Sequence, residues 1–202
     1  MLFLFSQKNS NDYLSDPDVQ LMLSFREGNQ AAFEDLMRKY FTRLLNFIYR
    51  YVGNRELAED LTQEVFIRVY KTAHRYSPQS KLQTWLYTIA KNVSLNELRR
   101  LKNKNISLDQ PIYTNGEGLK RQVEDKTQKA PDHILLENEK AEIIMEAIQS
   151  LPENQRIAVI LRRYDQFSYD EIADTMKTSA KAVKSLLSRA KENLREKLKN
   201  VI

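Results

Sequence analysis

The chain has 202 residues, 42% apolar and 29% charged, which is ordinary for a globular protein and enough for one large domain or two small ones. Its formal net charge is +5, with a pI near 9.2, which permits a polyanionic partner without requiring one. Cysteine is absent, so disulfides, cysteine-based zinc sites and cysteine nucleophiles are excluded.

Only four glycines and five prolines interrupt the chain, which favours long helices over many-turned sheets. The apolar start, Met1 to Phe5, is too short for a signal sequence or a membrane span. Residues 1–14 read as a tail, and no other stretch approaches a transmembrane helix. The expectation is a cytoplasmic protein without membrane insertion.

Ser15-Asp-Pro17 has the chemistry of a helix start, with a capping side chain followed by proline. Gly28 would end that helix, and Asn29 can cap the next, which runs to Gly53. Phe33, Leu36, Met37, Tyr40, Leu44, Phe47, Ile48 and Tyr51 fall at helical spacing on one buried stripe. Asn54 caps a third helix that turns Leu57, Leu61, Val65 and Val69 inward. Its early acids, Glu56, Glu59 and Asp60, suit the helix dipole. After a loop at Ser77-Pro78, a fourth helix carries Trp85, Leu86, Ile89, Val93 and Leu98. Together these predict an all-α domain over residues 15–101.

From Lys102 to Pro131 the apolar periodicity vanishes and the run is polar, punctuated by Pro111, Gly116, Gly118 and Pro131. This predicts a flexible linker over 102–131, relaxed at about 30 Å and stretchable to about 100 Å. Helical periodicity returns with Ile134, Leu135, Ile143, Ile144, Ala147 and Ile148. Leu151-Pro-Glu153 reads as a break and restart with Pro152 at the first helical position. Ile157, Val159, Ile160 and Leu161 follow. Ser168 and Glu171 then fit a capping box. Thr178-Ser179 caps a last helix with Val183, Leu186, Leu187, Ala190, Leu194 and Leu198 inward. Residues 132–202 make a second all-α domain.

A short capped helix, a tight turn near Met176–Thr178 and a longer basic helix form a helix-turn-helix pattern. From Lys177 to Lys199 there are eight basic and two acidic residues, a net of +6 against +5 for the whole chain. The positive charge is thus concentrated on the helix that would enter a major groove. Ser179, Lys181, Ala182, Lys184 and Ser185 would face base edges, Arg189 and Lys191 further along would meet phosphates, and Ser188 is a further candidate for contact with the duplex. A solvated, lysine-rich surface helix is the competing account of the charge alone. It leaves the capping box, turn and polar N-terminal face unexplained.

The first half carries a second set of motifs. Asp60-Leu-Thr-Gln-Glu-Val-Phe-Ile-Arg-Val-Tyr70 resembles the core-binding helix of region two of bacterial sigma factors. Thr84 to Arg100 resembles the promoter-melting helix that follows it. Leu151 to Val159, with Ser168 to Lys191, resembles region four. The resemblance spans about residues 20–200, with both halves in order. Regions one and three have no counterpart, which points to the extracytoplasmic-function (ECF) group of the sigma-70 family.

The resemblance implies two small helical domains on a linker, and a non-catalytic specificity subunit of RNA polymerase. Asp60, Gln63, Glu64, Ile67 and Arg68 would meet the polymerase core at a basic coiled-coil of its largest subunit, the second-largest subunit being a further partner. Tyr76, Ser80, Lys81, Thr84, Trp85, Tyr87, Lys91 and Asn92 would hold the opened minus-ten strand, where rings stack on bases and cations track phosphates. Trp85 on a helical stripe fits a core position as well as a stacking one, whereas Tyr76 and Lys81 fall on a polar loop. The last helix would read the minus-thirty-five duplex. An anti-sigma partner is compatible with the family; no cofactor, metal or small-molecule substrate is expected.

Three departures concern promoter preference: Lys181-Ala-Val183 replaces a frequent Gly-Thr-Val, Leu186 stands where a basic residue is common, and Asn96 replaces a frequent aspartate. Rival readings are a helix-turn-helix regulator, which would not require the first-half motifs, a polymerase-binding inhibitor, and a nuclease. No clustered carboxylates with histidine, phosphate-cradling glycine loop or Ser/His/Asp arrangement supports an enzyme.

Overall fold

A computed structural model describes residues 13–107 and 131–199. The tail before Tyr13, most of the expected linker, and the side chains of Ile134 and Leu135 lie outside the described residues. Every regular element described is helical. The first half comprises α1 (Pro17–Arg26), α2 (Gln30–Val52), α3 (Arg55–Thr72) and α4 (Leu82–Ser107), with a 3-10 turn at Ala73–Arg75. The second comprises α5 (Pro131–Gln149), α6 (Glu153–Arg163), α7 (Tyr169–Met176) and α8 (Ala180–Leu198).

Local chemistry explains most boundaries. The Asp16 carboxylate accepts from the Asp18 amide, and Pro17 opens α1. Asn29 and Asn54 accept from the amides of Ala32 and Leu57, at 3.4 and 2.8 Å. These caps satisfy amides that have no partner within the first helical turn. Gly53 ends α2 at φ 80°, a left-handed position that glycine occupies without a Cβ penalty. Pro152 sits at the N-cap of α6, one residue before the helical position expected for it. α4 continues to Ser107, six residues beyond the expected domain end at 101.

The core of the first half is built around α2, which packs against α1, α3 and α4. Leu36, Tyr40, Leu44, Phe47, Ile48 and Tyr51 are buried, and Leu61, Val65 and Val69 meet them from α3. Each large apolar side chain so buried contributes about 1.5–3 kcal/mol of transfer free energy. The Tyr40 hydroxyl donates to Asp18 Oδ2 at 2.5 Å, joining α1 to α2. In the second half, α8 packs on α5, α6 and α7. Ala147 and Ile148 are buried, whereas Ile143 and Ile144, on the same helical stripe, are each 36% exposed.

The two halves share one continuous apolar core. α2 touches α5 and α6, and α4 touches α7. The Tyr87 ring on α4 lies between Phe47 of α2 and Phe167, the residue before the α7 cap, with centroid distances of 5.0 and 4.9 Å. α4 therefore buries residues on two sides: Leu82, Leu86, Ala90 and Val93 with Tyr87, and the polar Thr84, Lys91 and Ser94.

Candidate protein and nucleic-acid interfaces

Three surfaces gather the residues singled out from the sequence. On α3, Asp60, Gln63, Ile67 and Arg68 are exposed and Glu64 is half-buried. Glu64 accepts from Arg68 at 2.5 Å, an i,i+4 pair that holds a carboxylate and a guanidinium side by side. Ile67 is 52% exposed and Tyr70 is 50% exposed, unusual for large apolar groups on a helix otherwise packed inward.

Ile67 and Tyr70 border a groove of about 310 Å³ between α2 and α3. Its far wall is Phe33, Met37 and Phe41 of α2, with Phe66 at the base. Rings stabilise this wall: Phe33 stacks on Phe25 at 4.6 Å and meets Tyr70 edge-on at 5.4 Å. The three α2 residues recur at intervals of four, beside the fully buried stripe of the same helix. That second stripe is visible in the sequence, where it merged with the core pattern. The groove adds an apolar seat to a face identified from its acids and amides.

The second surface spans the loop after α3 and the start of α4. Here the residues divide between solvent and core. Tyr76 is 4% exposed and rests edge-on against Trp85 at 5.0 Å. Its carbonyl accepts from Arg26 on α1 at 3.2 Å, which pulls the loop onto the first-half core. Burial, reinforced by nearby Asp16, pushes the Tyr76 phenol up to about 12. Trp85 and Asn92 are half-buried, as is Ser80, and Thr84 and Tyr87 are buried. The Lys81 ammonium lies 2.8 Å from Glu171 of α7. That hydrogen bond and charge raise the Lys81 pKa. Burial works against the Glu171 carboxylate, but Lys81 and Ser168 outweigh it and hold its pKa below the usual value.

Lys91 is 8% exposed and donates to the Thr175 carbonyl at 2.9 Å. Burial, then the neighbouring Lys177, lowers its pKa. The Tyr87 hydroxyl donates to Asp165 Oδ1 at 2.6 Å. Thus Lys81, Tyr87 and Lys91 are all partnered by the segment from Asp165 to Thr175.

The third surface is the pair α7–α8. Ser168 accepts from the Glu171 amide at 3.2 Å, and Glu171 accepts from the Ser168 amide at 2.8 Å, completing the capping box. Lys177 ends α7 in the left-handed region at φ 53°, and the Thr178 amide donates to the Ala173 carbonyl at 2.9 Å. This closes the turn of the helix-turn-helix with lysine where glycine is the unstrained choice. Ser179 caps α8 by accepting from the Ala182 amide at 3.2 Å.

Lys181, Lys184, Ser188, Arg189 and Lys191 are exposed, and Ala182 and Ser185 are half-buried. Arg189 donates to Ser185 Oγ at 2.8 Å. Lys181, Lys184, Ser188 and Lys191 recur at three- and four-residue steps, so they line one side of α8 with the chemistry of a phosphate- and base-edge-binding face. Among the described residues, no cluster of three histidines or acids could hold a metal ion, and no helix is long and apolar enough to cross a membrane.

Comparison with known proteins places these surfaces in two matched segments. The family description Sigma-70 region 2 matches residues 36–104, and Sigma-70, region 4 matches residues 141–194. Over 191 residues the chain is 30% identical to the RNA polymerase sigma-H factor of Pseudomonas aeruginosa, covering 93% of this chain and 96% of that protein. It is also 30% identical over 190 residues to the ECF RNA polymerase sigma-E factor of Escherichia coli, covering 92% and 96%.

Among solved structures, its fold is similar to CnrH in complex with the cytosolic domain of CnrY, at a TM-score of 0.66 and 19% identity over 90% of this chain and 97% of that one. A second is the sigma factor RpoE in complex with the anti-sigma factor NepR from Bartonella quintana, at a TM-score of 0.66 and 23% identity over 83% and 97%.

Proposed function

The chain belongs to the sigma-70 family, in its ECF group, as a factor that binds core RNA polymerase and directs promoter recognition, and on that premise we propose how its surfaces divide the work. The α3 face of Asp60, Gln63, Glu64, Ile67 and Arg68 takes the polymerase core. The groove beside it receives an apolar side chain from the same partner, since Ile67 and Tyr70 are exposed at its rim. The exposed basic side of α8 docks on the upstream promoter duplex, with Lys181 and Lys184 at base edges and Arg189 and Lys191 at phosphates.

Residues 76–92 form the surface for the opened strand. Trp85 presents a half-exposed ring as a stacking platform, and the exposed Lys81 supplies a cation for the phosphates. Tyr76 supports Trp85 from beneath at 5.0 Å. Extruding a base from the stack costs a few kcal/mol, which such contacts offset. The chain performs no covalent chemistry in this scheme. It works in the cytoplasm with the polymerase, and an anti-sigma protein is its expected regulator, in keeping with the complex of the RpoE relative.

The observation that carries the scheme is the match of both regions, in order, along a chain that aligns with named sigma factors over nine-tenths of its length. Run-off transcription tests it. Added to sigma-free bacterial core polymerase on a library of duplex promoters, the protein should yield transcripts from a defined subset. Gln63→Ala/Glu64→Ala should abolish them while leaving helix content unchanged. Absence of any transcript with folded protein and a matched core would overturn the reading.

A further inference from the structure

The segment Met1-Leu-Phe-Leu-Phe5 is a run of five large apolar side chains, followed by seven polar residues from Ser6 to Asp12. None of the three surfaces described above makes use of it. In water such a run exposes apolar area at a cost proportional to that area, so it favours any apolar site within its reach.

One such site lies on the described body. The groove of about 310 Å³ between α2 and α3 has Phe33, Met37 and Phe41 on one wall and Ile67 and Tyr70 on its rim. The three α2 residues stand four apart, about 6 Å per step, so the wall runs about 12 Å along the helix. That length matches about four residues of chain at about 3.3 Å each. The apolar run carries no charged side chain, so nothing in it opposes entry between these walls.

Chain order and packing bring segment and groove together. The Tyr13 carbonyl accepts from the Asp16 amide at 3.1 Å, which folds the start of the described body onto the beginning of α1. α1 has ten residues, a length of about 15 Å. Near its far end Phe25 stacks on Phe33 at 4.6 Å and meets Tyr70 at 5.3 Å. α1 therefore leads from the attachment point of residues 1–12 to the wall of the groove. The span Ser6–Asp12 can reach about 23–25 Å, further than α1 is long. A second route ends at the same place: the charge of Asp16 acts on Tyr76, which lies five residues beyond Lys71 of the groove lining.

Resting on the reading of the α3 face as the polymerase-binding surface, we propose that residues 1–5 dock in the α2–α3 groove of the free chain and compete there with the apolar side chain supplied by the polymerase core. The covalent tether makes a weak contact sufficient. A spacer of this length holds its end near the groove at a roughly millimolar effective concentration. Core polymerase displaces the segment because it also engages Asp60, Gln63 and Arg68, which five apolar residues cannot match. Apparent affinity for the core is lowered by the fraction of molecules whose groove is filled.

The native chain has no cysteine, so an introduced pair reports proximity by forming a disulfide. Leu4→Cys/Lys71→Cys places one thiol in the segment and one at an exposed position of the groove lining, whereas Leu4→Cys/Glu196→Cys places the second at an exposed position of α8. With oxidised glutathione, the first pair should close within the monomer about tenfold faster than the second, as a docked end raises the local thiol concentration. In the full chain, Phe3→Ser/Phe5→Ser should bind core polymerase about tenfold more tightly than wild type, as a groove filled in about nine molecules of ten implies.

Equal closure rates for the two pairs would overturn the proposal. So would closure of the first pair only between two chains, seen as a disulfide-linked dimer on a non-reducing gel, which would make a second copy the occupant. Core affinity unchanged by Phe3→Ser/Phe5→Ser would overturn the competition. Wild-type core binding and run-off transcription, scored in parallel, isolate the functional reading: their absence sinks the assignment of the α3 face, while the disulfide rates still decide whether the segment docks.

Discussion

Lys177 is a charged, Cβ-bearing residue at the one backbone position in the helix-turn-helix that asks for glycine. Its φ of 53° and ψ of 51° place it in the left-handed region, where an L-residue loses about 1–2 kcal/mol to the clash between Cβ and the following carbonyl. The bond from Thr178 to Ala173 nevertheless closes the turn. Lys177 also depresses the pKa of Lys91, second only to burial. Lys177→Gly should relieve both effects, partly offset by the greater entropy of an unfolded glycine, for a net gain of about 0.5–1 kcal/mol. A thermal melt should then rise by a few degrees, on the order of 2–4 °C per kcal/mol for a chain of this size. A lower melting temperature would mean that the lysine side chain contributes more than its backbone costs. The strain was not legible in the sequence, because the turn near Met176–Thr178 contains neither glycine nor asparagine to mark it. The same scale explains Tyr76 and Trp85. A polar loop predicts an exposed Tyr76 and a helical stripe leaves Trp85 between core and stacking positions, yet the loop folds under Arg26 and seats the tyrosine beneath a half-buried tryptophan.

α7 has only eight residues, so its ends decide whether it forms. Helices this short are marginal without tertiary support, because nucleation fixes several dihedrals for one hydrogen bond. The capping box supplies two bonds at the start, Ser168 to the Glu171 amide and Glu171 to the Ser168 amide. Ser168→Ala removes one of them and should destabilise the second half by about 1 kcal/mol, seen as a lower urea midpoint with an unchanged slope. An unchanged midpoint would mean that packing of Ile172 and Ala173 alone holds α7. This cap, like those at Asn29, Asn54 and Ser179, was readable because it depends on residues three apart. α2 and α3 were readable for a related reason: each buries one face, so the 3.6-residue period survives in the sequence. α4 was only half readable. The expected stripe of Trp85, Leu86, Ile89, Val93 and Leu98 describes its packing on the first half. The burial of Tyr87 and Lys91 comes from α7 and its flanking loop, about 80 residues away in sequence, as the contacts to Asp165 and Thr175 show. The stripe of Ile143, Ile144, Ala147 and Ile148 is covered only at its last two residues, because periodicity reports an apolar face, not whether a neighbour reaches it.

At the scale of the whole molecule, the two halves pack together as a closed body, and their interface contains an acid whose protonation should tune closure against an open form in which the halves are apart. Burial pushes the Asp165 carboxyl up to about 6, against an ordinary value of 3.8; the Tyr87 bond and the charges of Arg50 and Arg43 offset this only in part. Its second oxygen, Oδ2, is buried without a hydrogen-bond partner, which further disfavours the ionised form. In the open form the carboxyl is solvated and returns toward its ordinary value. The closed form therefore binds the proton more tightly. Its contribution to closure is complete below the open-state value and is lost as pH rises through about 6. The Glu171–Lys81 pair has the opposite sign, since the depressed Glu171 carboxyl favours closure above its ordinary value of 4.5 and loses that contribution as pH falls. Between about pH 5 and about pH 7.5 the Asp165 effect dominates, and the closed-to-open ratio should fall about tenfold over that interval. Energy transfer between labels on the two halves, followed across this range, reads the ratio directly. Asp165→Asn carries no proton to exchange and should flatten the profile while keeping the halves together, since its amide oxygen can still accept from Tyr87. A wild-type profile that is already flat would show that the carboxyl is as solvated in the closed body as in the open one, and that closure is indifferent to its charge.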